Sequence, residues 1–152
     1  MLIDGNVEIL IFERDKRIRR SVVKNAVSNN GLSEIALGFA GAHRGTSTAV
    51  WSPRYCLFGA GAGTKTAATT SLTTPITDGY VFVSKHSAGA TRAVIQAYVG
   101  EDHAALNGST LTEIGLSMKP SSNGTLLASA NITALVKTSL IQIVVNWSFS
   151  VT

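Results

Sequence analysis

The sequence predicts an all-β protein, a jelly-roll-like β-sandwich of about eight strands with one short helix near residues 31–41. Three observations carry this expectation. Apolar and polar residues alternate in several segments, the period of a strand with one face on a core. Turn residues punctuate those segments at intervals of about 8–12 residues. Charged residues make up only 14% of the 152 positions and hydrophobic ones 45%, so Ser, Thr, Asn and Gly must cover much of the surface. That balance excludes a disordered chain and suits an assembly subunit whose faces are partly buried by neighbours.

Taken in order, Val7 to Phe12 and Ile18 to Val23 read as the two strands of a hairpin whose tip is Glu13-Arg14-Asp15-Lys16-Arg17. Residues 1–25 thus form a basic N-terminal hairpin or arm packed on a single domain spanning 1–152. Leu32, Ile35, Ala36 and Phe39 form one apolar helical stripe, with Asn29, Asn30 or Ser33 as caps and Gly41 as its end. Residues 41–52 read as a loop, and Phe58 as the end of a strand. Gly79 to Ser84, through Tyr80, Val81, Phe82 and Val83, is apolar on both faces, as in a central strand. Alternation returns at Ala93 to Val99, Ile114 to Met118 and Leu126 to Ile132, bounded by Ser87-Ala88-Gly89, Asn107-Gly108-Ser109 and Ser122-Asn123-Gly124. At the end, Ile141, Ile143, Val145, Trp147, Phe149 and Val151 are apolar at every second position, with Val144 the one exception between them. Eleven residues at about 3.3 Å each span about 36 Å, so this strand crosses a whole sandwich or continues into a neighbour.

Phe58-Gly59-Ala60-Gly61-Ala62-Gly63-Thr64-Lys65-Thr66 has the look of a phosphate loop. A Walker A loop needs a Gly-Lys step so that backbone N–H groups and the lysine converge on phosphate, but here Lys65 follows Thr64. The dinucleotide spacing fails as well, since Gly59-x-Gly61 is followed by Thr64. Both motifs require a helix to open at the last glycine, whereas Ala67-Ala68-Thr69-Thr70-Ser71-Leu72-Thr73-Thr74-Pro75 favours extended chain. The stretch reads instead as a long surface loop open to neighbouring subunits, and no cofactor is implied.

No residue pattern proposes catalysis. His43, His86 and His103 lack metal-ligand spacing, there is no G-x-S-x-G elbow, and Glu101-Asp102-His103 reads as a charged turn. Cys56, the one cysteine, stands between Tyr55 and Leu57 as a small core residue and permits no intrachain disulfide. The sequons at Asn107, Asn123, Asn131 and Asn146 are expected by chance in a chain so rich in Asn, Ser and Thr. The N-terminus has no basic lead or long apolar core, so no signal peptide is expected, and no apolar run reaches membrane-span length. Net charge is +4, concentrated in Arg14, Lys16, Arg17, Arg19, Arg20 and Lys24. On a hairpin, Arg17 and Arg19 project from one face and Arg20 from the other. With Glu13 and Asp15 among them and no interleaved aromatics, these residues favour a solvated hairpin tip, or an arm pairing with an acidic neighbour, over nucleic acid. Trp51, Tyr55, Tyr80 and Tyr98 supply material for a sugar-stacking platform, with Trp51 and Tyr98 the candidates for exposure. A carbohydrate-recognition module, reading a host-surface glycan, is therefore the alternative to a structural role.

Several segments in order carry a family resemblance: Asn30-Gly31-Leu32 opening a short helix, Phe58-Gly59-x-Gly61 with its Thr/Ala-rich run to Pro75-Ile76, and Thr112-Glu113-Ile114-Gly115-Leu116. Gly124-Thr125-Leu126-Leu127-Ala128, Lys137-Thr138-Ser139 and the Val145-x-Trp147-x-Phe149 strand continue it. Over residues 22–152 the chain resembles small structural proteins of tailed-bacteriophage virions; the basic hairpin lies outside the pattern. The resemblance implies a β-sandwich acting as head decoration, neck or tail component. It further implies an oligomer whose partners are itself and other virion proteins, located in the virion, with no enzymatic activity, cofactor or metal.

Overall fold

A computed structural model describes residues 3–29, 31–32, 53–88, 92–121 and 126–151. The chain is all-β. Among the described residues nine strands follow in order: β1 (Ile3–Glu13), β2 (Lys16–Lys24), β3 (Ala26–Val27), β4 (Tyr55–Gly59), β5 (Pro75–Ala88), β6 (Arg92–Val99), β7 (Thr110–Ser117), β8 (Leu126–Val136) and β9 (Ile141–Val151). All pairings are antiparallel and join the strands into one sheet of order β2-β1-β9-β6-β5-β4-β7-β8-β3.

The sheet is nearly closed like a barrel, and the region around Asn25 shows how. β2 pairs with β1; after Asn25, whose N–H donates to the Gly5 carbonyl at 3.0 Å, β3 pairs with β8 instead. Arg19 spans the remaining seam, donating to the Thr133 carbonyl at 3.1 Å and the Ala134 carbonyl at 3.4 Å on β8. β5 serves both halves: its first part pairs with β4 and its second part with β6. Four of the pairings are nested, β1 with β9, β3 with β8, β4 with β7 and β5 with β6. The predicted eight strands are therefore nine in a single sheet rather than two separate ones, because β5 is long enough to belong to both walls.

Alternation decides the core. Val7, Ile9 and Ile11 of β1, Ile143, Val145 and Trp147 of β9, and Ile95, Ala97 and Val99 of β6 point inward onto Cys56 and Phe58 of β4 and Ile114 and Leu116 of β7. Burying each large apolar side chain stabilises the fold by about 1.5–3 kcal/mol. The long terminal strand crosses the barrel: β9 pairs with β1 over its whole length and with β6 from Ile143 to Ser150. Burial pushes the Cys56 thiol up to about 12, against the opposing pull of Trp147 alongside it, so it behaves as an inert core residue.

The β1–β2 hairpin turns through Arg14 (φ 47°) and Asp15 (φ 64°), both left-handed, as a two-residue turn of the twist-matching type requires. The helix start is described only at its first turn, where Asn29, Gly31 and Leu32 are helical. Its cap is Ser28 rather than Asn29, Asn30 or Ser33: Ser28 Oγ accepts from the Gly31 N–H at 3.0 Å, and the Ser28 carbonyl from the Leu32 N–H at 2.9 Å. The rest of the expected helix, the loop at 41–52 and Trp51 lie outside the described residues. Among the described residues, no helix is long and apolar enough to cross a membrane.

Candidate functional site

The glycine-rich stretch is folded back on the molecule and is not an open surface loop. Residues 60–74 run as a strap across the outer face of β4, β7 and β8 and are tied down along their length. The Ala60 N–H donates to the Thr74 carbonyl at 2.9 Å, Thr112 Oγ1 to the Gly61 carbonyl at 2.7 Å, and Asn131 Nδ2 to the Gly63 carbonyl at 3.0 Å. Farther on, the Asn29 N–H donates to the Ala67 carbonyl at 2.7 Å and the Leu126 N–H to the Thr70 carbonyl at 3.2 Å. The strap's own bend is a turn in which the Thr66 N–H donates to Thr69 Oγ1 at 2.9 Å.

At the centre lies Glu113. It stands on β7 between Gly59 of β4 and Asn131 of β8, its side chain fully buried beneath the strap. Its Oε1 accepts from the Gly61 N–H at 3.1 Å and the Thr74 N–H at 2.7 Å; its Oε2 accepts from the Thr73 N–H at 3.0 Å and from Lys65 Nζ. Backbone N–H groups and a lysine thus converge on an anion, the chemistry of a phosphate loop, but the anion is the chain's own carboxylate. A Cβ on Gly59 would fall 2.5 Å from Glu113 Oε1, and one on Gly61 2.6 Å from it, so those positions are glycine to let backbone approach the carboxylate. Burial alone would raise the Glu113 pKa, but the bonds from Lys65, Thr74 and Thr73 outweigh it and hold the carboxyl below its ordinary range.

The strap also completes an outer apolar cluster. Leu72 packs with Leu57 of β4 and Leu126 of β8, and Tyr55 and Tyr80 rest against them. The Tyr55 ring meets Tyr80 edge-on at 5.6 Å and Phe82 at 4.9 Å between centroids. Phe82 is 67% exposed and Tyr98, on the outer face of β6, is 47% exposed. Pairing of Val83 with Ala97 places Tyr98 next to Phe82 on the same face; Tyr98 pairs in turn with Val144, and Val144 with Leu10. An apolar row, Tyr55-Phe82-Tyr98-Val144-Leu10, therefore runs across the outside of five strands. The signal for it in the sequence is Val144, which breaks the alternation of β9 because its face is not uniformly wet.

Beside the aromatic end of the row is a cleft of about 450 Å³, lined among others by Leu57, Leu72, Ile76, Asp78, Tyr80 and Pro120. A bulge makes it: Leu57 pairs with Tyr80 but Gly59 with Pro75, so β5 carries extra residues here, of which Ile76 packs on the core and Gly79 is buried while Thr77 and Asp78 are exposed as a lip. Asp78, at the lip, is exposed and left-handed (φ 54°).

The remaining candidates separate. Arg14, Lys16 and Arg17 are exposed around the hairpin tip. Arg19 faces the seam and is engaged with β8; Arg20 faces outward, its Nε 2.6 Å from Glu8 Oε1. Glu8 also accepts from Asn146 Nδ2 at 3.0 Å, and Asn146 Oδ1 accepts from Gln96 Nε2 at 2.9 Å, giving a polar ladder across β2, β1, β9 and β6. A second buried charge, Lys137, donates to Asn107 Oδ1 at 2.7 Å and the Thr138 carbonyl at 2.8 Å; desolvation lowers its pKa against the opposing pull of Glu101 and Asp102. Among the described residues, no group of three or more His, Cys, Asp or Glu side chains is placed to hold a metal. Comparison with protein families, with characterised proteins and with solved structures finds no match for this chain.

Proposed function

We propose that the chain is a non-enzymatic structural building block that works as a homo-oligomer, and that its setting is the virion of a tailed phage, on the capsid exterior or in the neck or tail. The observation that supports oligomeric use is the rim where the sheet fails to close. Ile18 and Val22 on β2, Val136 on β8 and Leu140 just after it are roughly half-exposed on the two strands that Arg19 ties together. The Gln142 Nε2 bond to Asp15 at 3.3 Å brings the start of β9 and the hairpin tip to the same end. Scattered exposed apolar residues need no explanation, but a group of them beside two strand edges is the signature of an interface. The arginines and lysine of the tip suit an acidic neighbour there. The nested pairing of the strands supports reading the sheet as a rolled-up, jelly-roll-like architecture, a form common in capsid domains.

Size-exclusion chromatography with light scattering tests the assembly. The expected result is an oligomer that the double variant Ile18→Glu/Val136→Glu converts to a monomer of unchanged melting temperature. A monomer at every concentration, in a chain that never joins particles, contradicts the proposal.

A further inference from the structure

We infer that the outer aromatic row and the cleft beside it form a binding site for an oligosaccharide, on a surface separate from the β2–β8 rim. Four features of the site point to this chemistry. Phe82 and Tyr98 turn flat apolar surface to solvent on adjacent strands, and the Phe82 ring is held in place before any ligand arrives by Tyr55 at 4.9 Å. A sugar ring offers apolar C–H faces of matching size, and stacking such a face on an aromatic ring removes both from water at little cost in conformational freedom.

The row does not end on a flat wall. It runs into the cleft through Tyr80, where the bulged lip brings a carboxylate, Asp78, and a hydroxyl, Thr77, beside the apolar floor of Leu57 and Leu72. Apolar surface with a few placed hydrogen-bonding groups is the composition of a small-molecule site, and about 450 Å³ is within the usual range for one. An aspartate carboxylate accepts hydrogen bonds from vicinal hydroxyls, which is what a sugar presents at its edge while its face is stacked. The bulge is the third feature, since extra residues at this point of β5 serve no pairing in the sheet and instead re-aim Asp78 outward. The fourth is the strap: Leu72 packs in one cluster with Tyr55 and Tyr80, so the Glu113–Lys65 latch that holds the strap also positions the platform.

Trp51 lies outside the described residues, and the stacking residues are Phe82 and Tyr98 with Tyr55 and Tyr80 behind them. The test is a glycan array probed with the labelled chain, followed by saturation-transfer NMR with each oligosaccharide retained. The expected result is retention of at least one oligosaccharide, with affinity reduced about tenfold by Phe82→Ala and also reduced by Asp78→Asn, an exchange that keeps a residue tolerant of left-handed backbone. Because Phe82 is largely exposed, its loss leaves the fold intact, and an unchanged melting temperature verifies this. Retention of no oligosaccharide, or binding unaffected by Phe82→Ala and Tyr98→Ala, overturns the inference. So does self-association lost in Phe82→Ala, which would make the row a subunit contact; loss in Ile18→Glu/Val136→Glu alone bears only on assembly.

Discussion

The wall built from β4, β7 and β8 hides its outer face beneath residues 60–74, whereas the wall built from β2, β1, β9 and β6 leaves its outer face to water. On the strapped side Glu113 is buried and fully matched: it has four donors, one of them a lysine whose side chain is 6% exposed. On the bare side the same residue type, Glu8, takes part in a ladder with Arg20 and Asn146 that solvent screens, Arg20 being 58% exposed. Identical carboxylate chemistry therefore has different weight in the two places, because desolvation makes a matched charge hard to lose and a solvated one dispensable.

The largest expected effect breaks the strapped side. Glu113→Ala strands Lys65 and three backbone N–H groups under the strap and costs about 3–5 kcal/mol in urea unfolding. Formate, a carboxylate small enough for the vacated cradle, restores part of it. Glu8→Ala, its counterpart on the bare wall, costs about 1 kcal/mol or less. Next comes Gly61→Ala, whose methyl group collides with Glu113 Oε1 and destabilises by about 1–3 kcal/mol in the same assay.

Acid sharpens the contrast further. The Glu113 pKa is lowered in the folded state, so its contribution is fully present above the ordinary glutamate value of about 4.3 and is lost as pH falls through the lower folded value. The stability difference between the native chain and Glu113→Gln is accordingly constant near neutral pH and shrinks in acid. Lys137 has the same sign of dependence in a different window: its lowered pKa means that stability rises as pH climbs from the folded value toward the ordinary lysine value of about 10.4. The smallest expected effect is that of Phe82→Ala, within about 0.5 kcal/mol, since that ring packs outside the core.

Strand periodicity made most of the fold legible. β9 spans the expected residues, and the hairpin, β6, β7 and β8 stand where alternation placed them, because in each of these strands one face is buried along much of the length. Closure was not legible, since it depends on the turn of the chain at Asn25 and on Arg19 reaching two carbonyls more than a hundred residues away. Nor was the latch. Glu113 sits in an alternating strand on the side expected to be wet, and only the strap's return makes that side a buried one. The glycines and lysine do form an anion cradle, although their spacing, which fits no phosphate motif, reads as an open surface loop; what it could not convey is that the anion lies 48 residues farther along the same chain. Val144 was visible as an irregularity, and its meaning emerges only when Tyr98 and Leu10 are set beside it by the register.

The central claim, that the glycine-rich segment is a strap latched on the chain's own carboxylate, is tested most directly by amide hydrogen exchange at Gly61, Thr73 and Thr74 in the native chain and in Glu113→Gln. All three are expected to be protected together in the native chain and to lose protection together in the variant, while the amides of β1, β9 and β6 keep theirs. Rapid exchange at these positions in the native chain, or protection unchanged in Glu113→Gln, would contradict it.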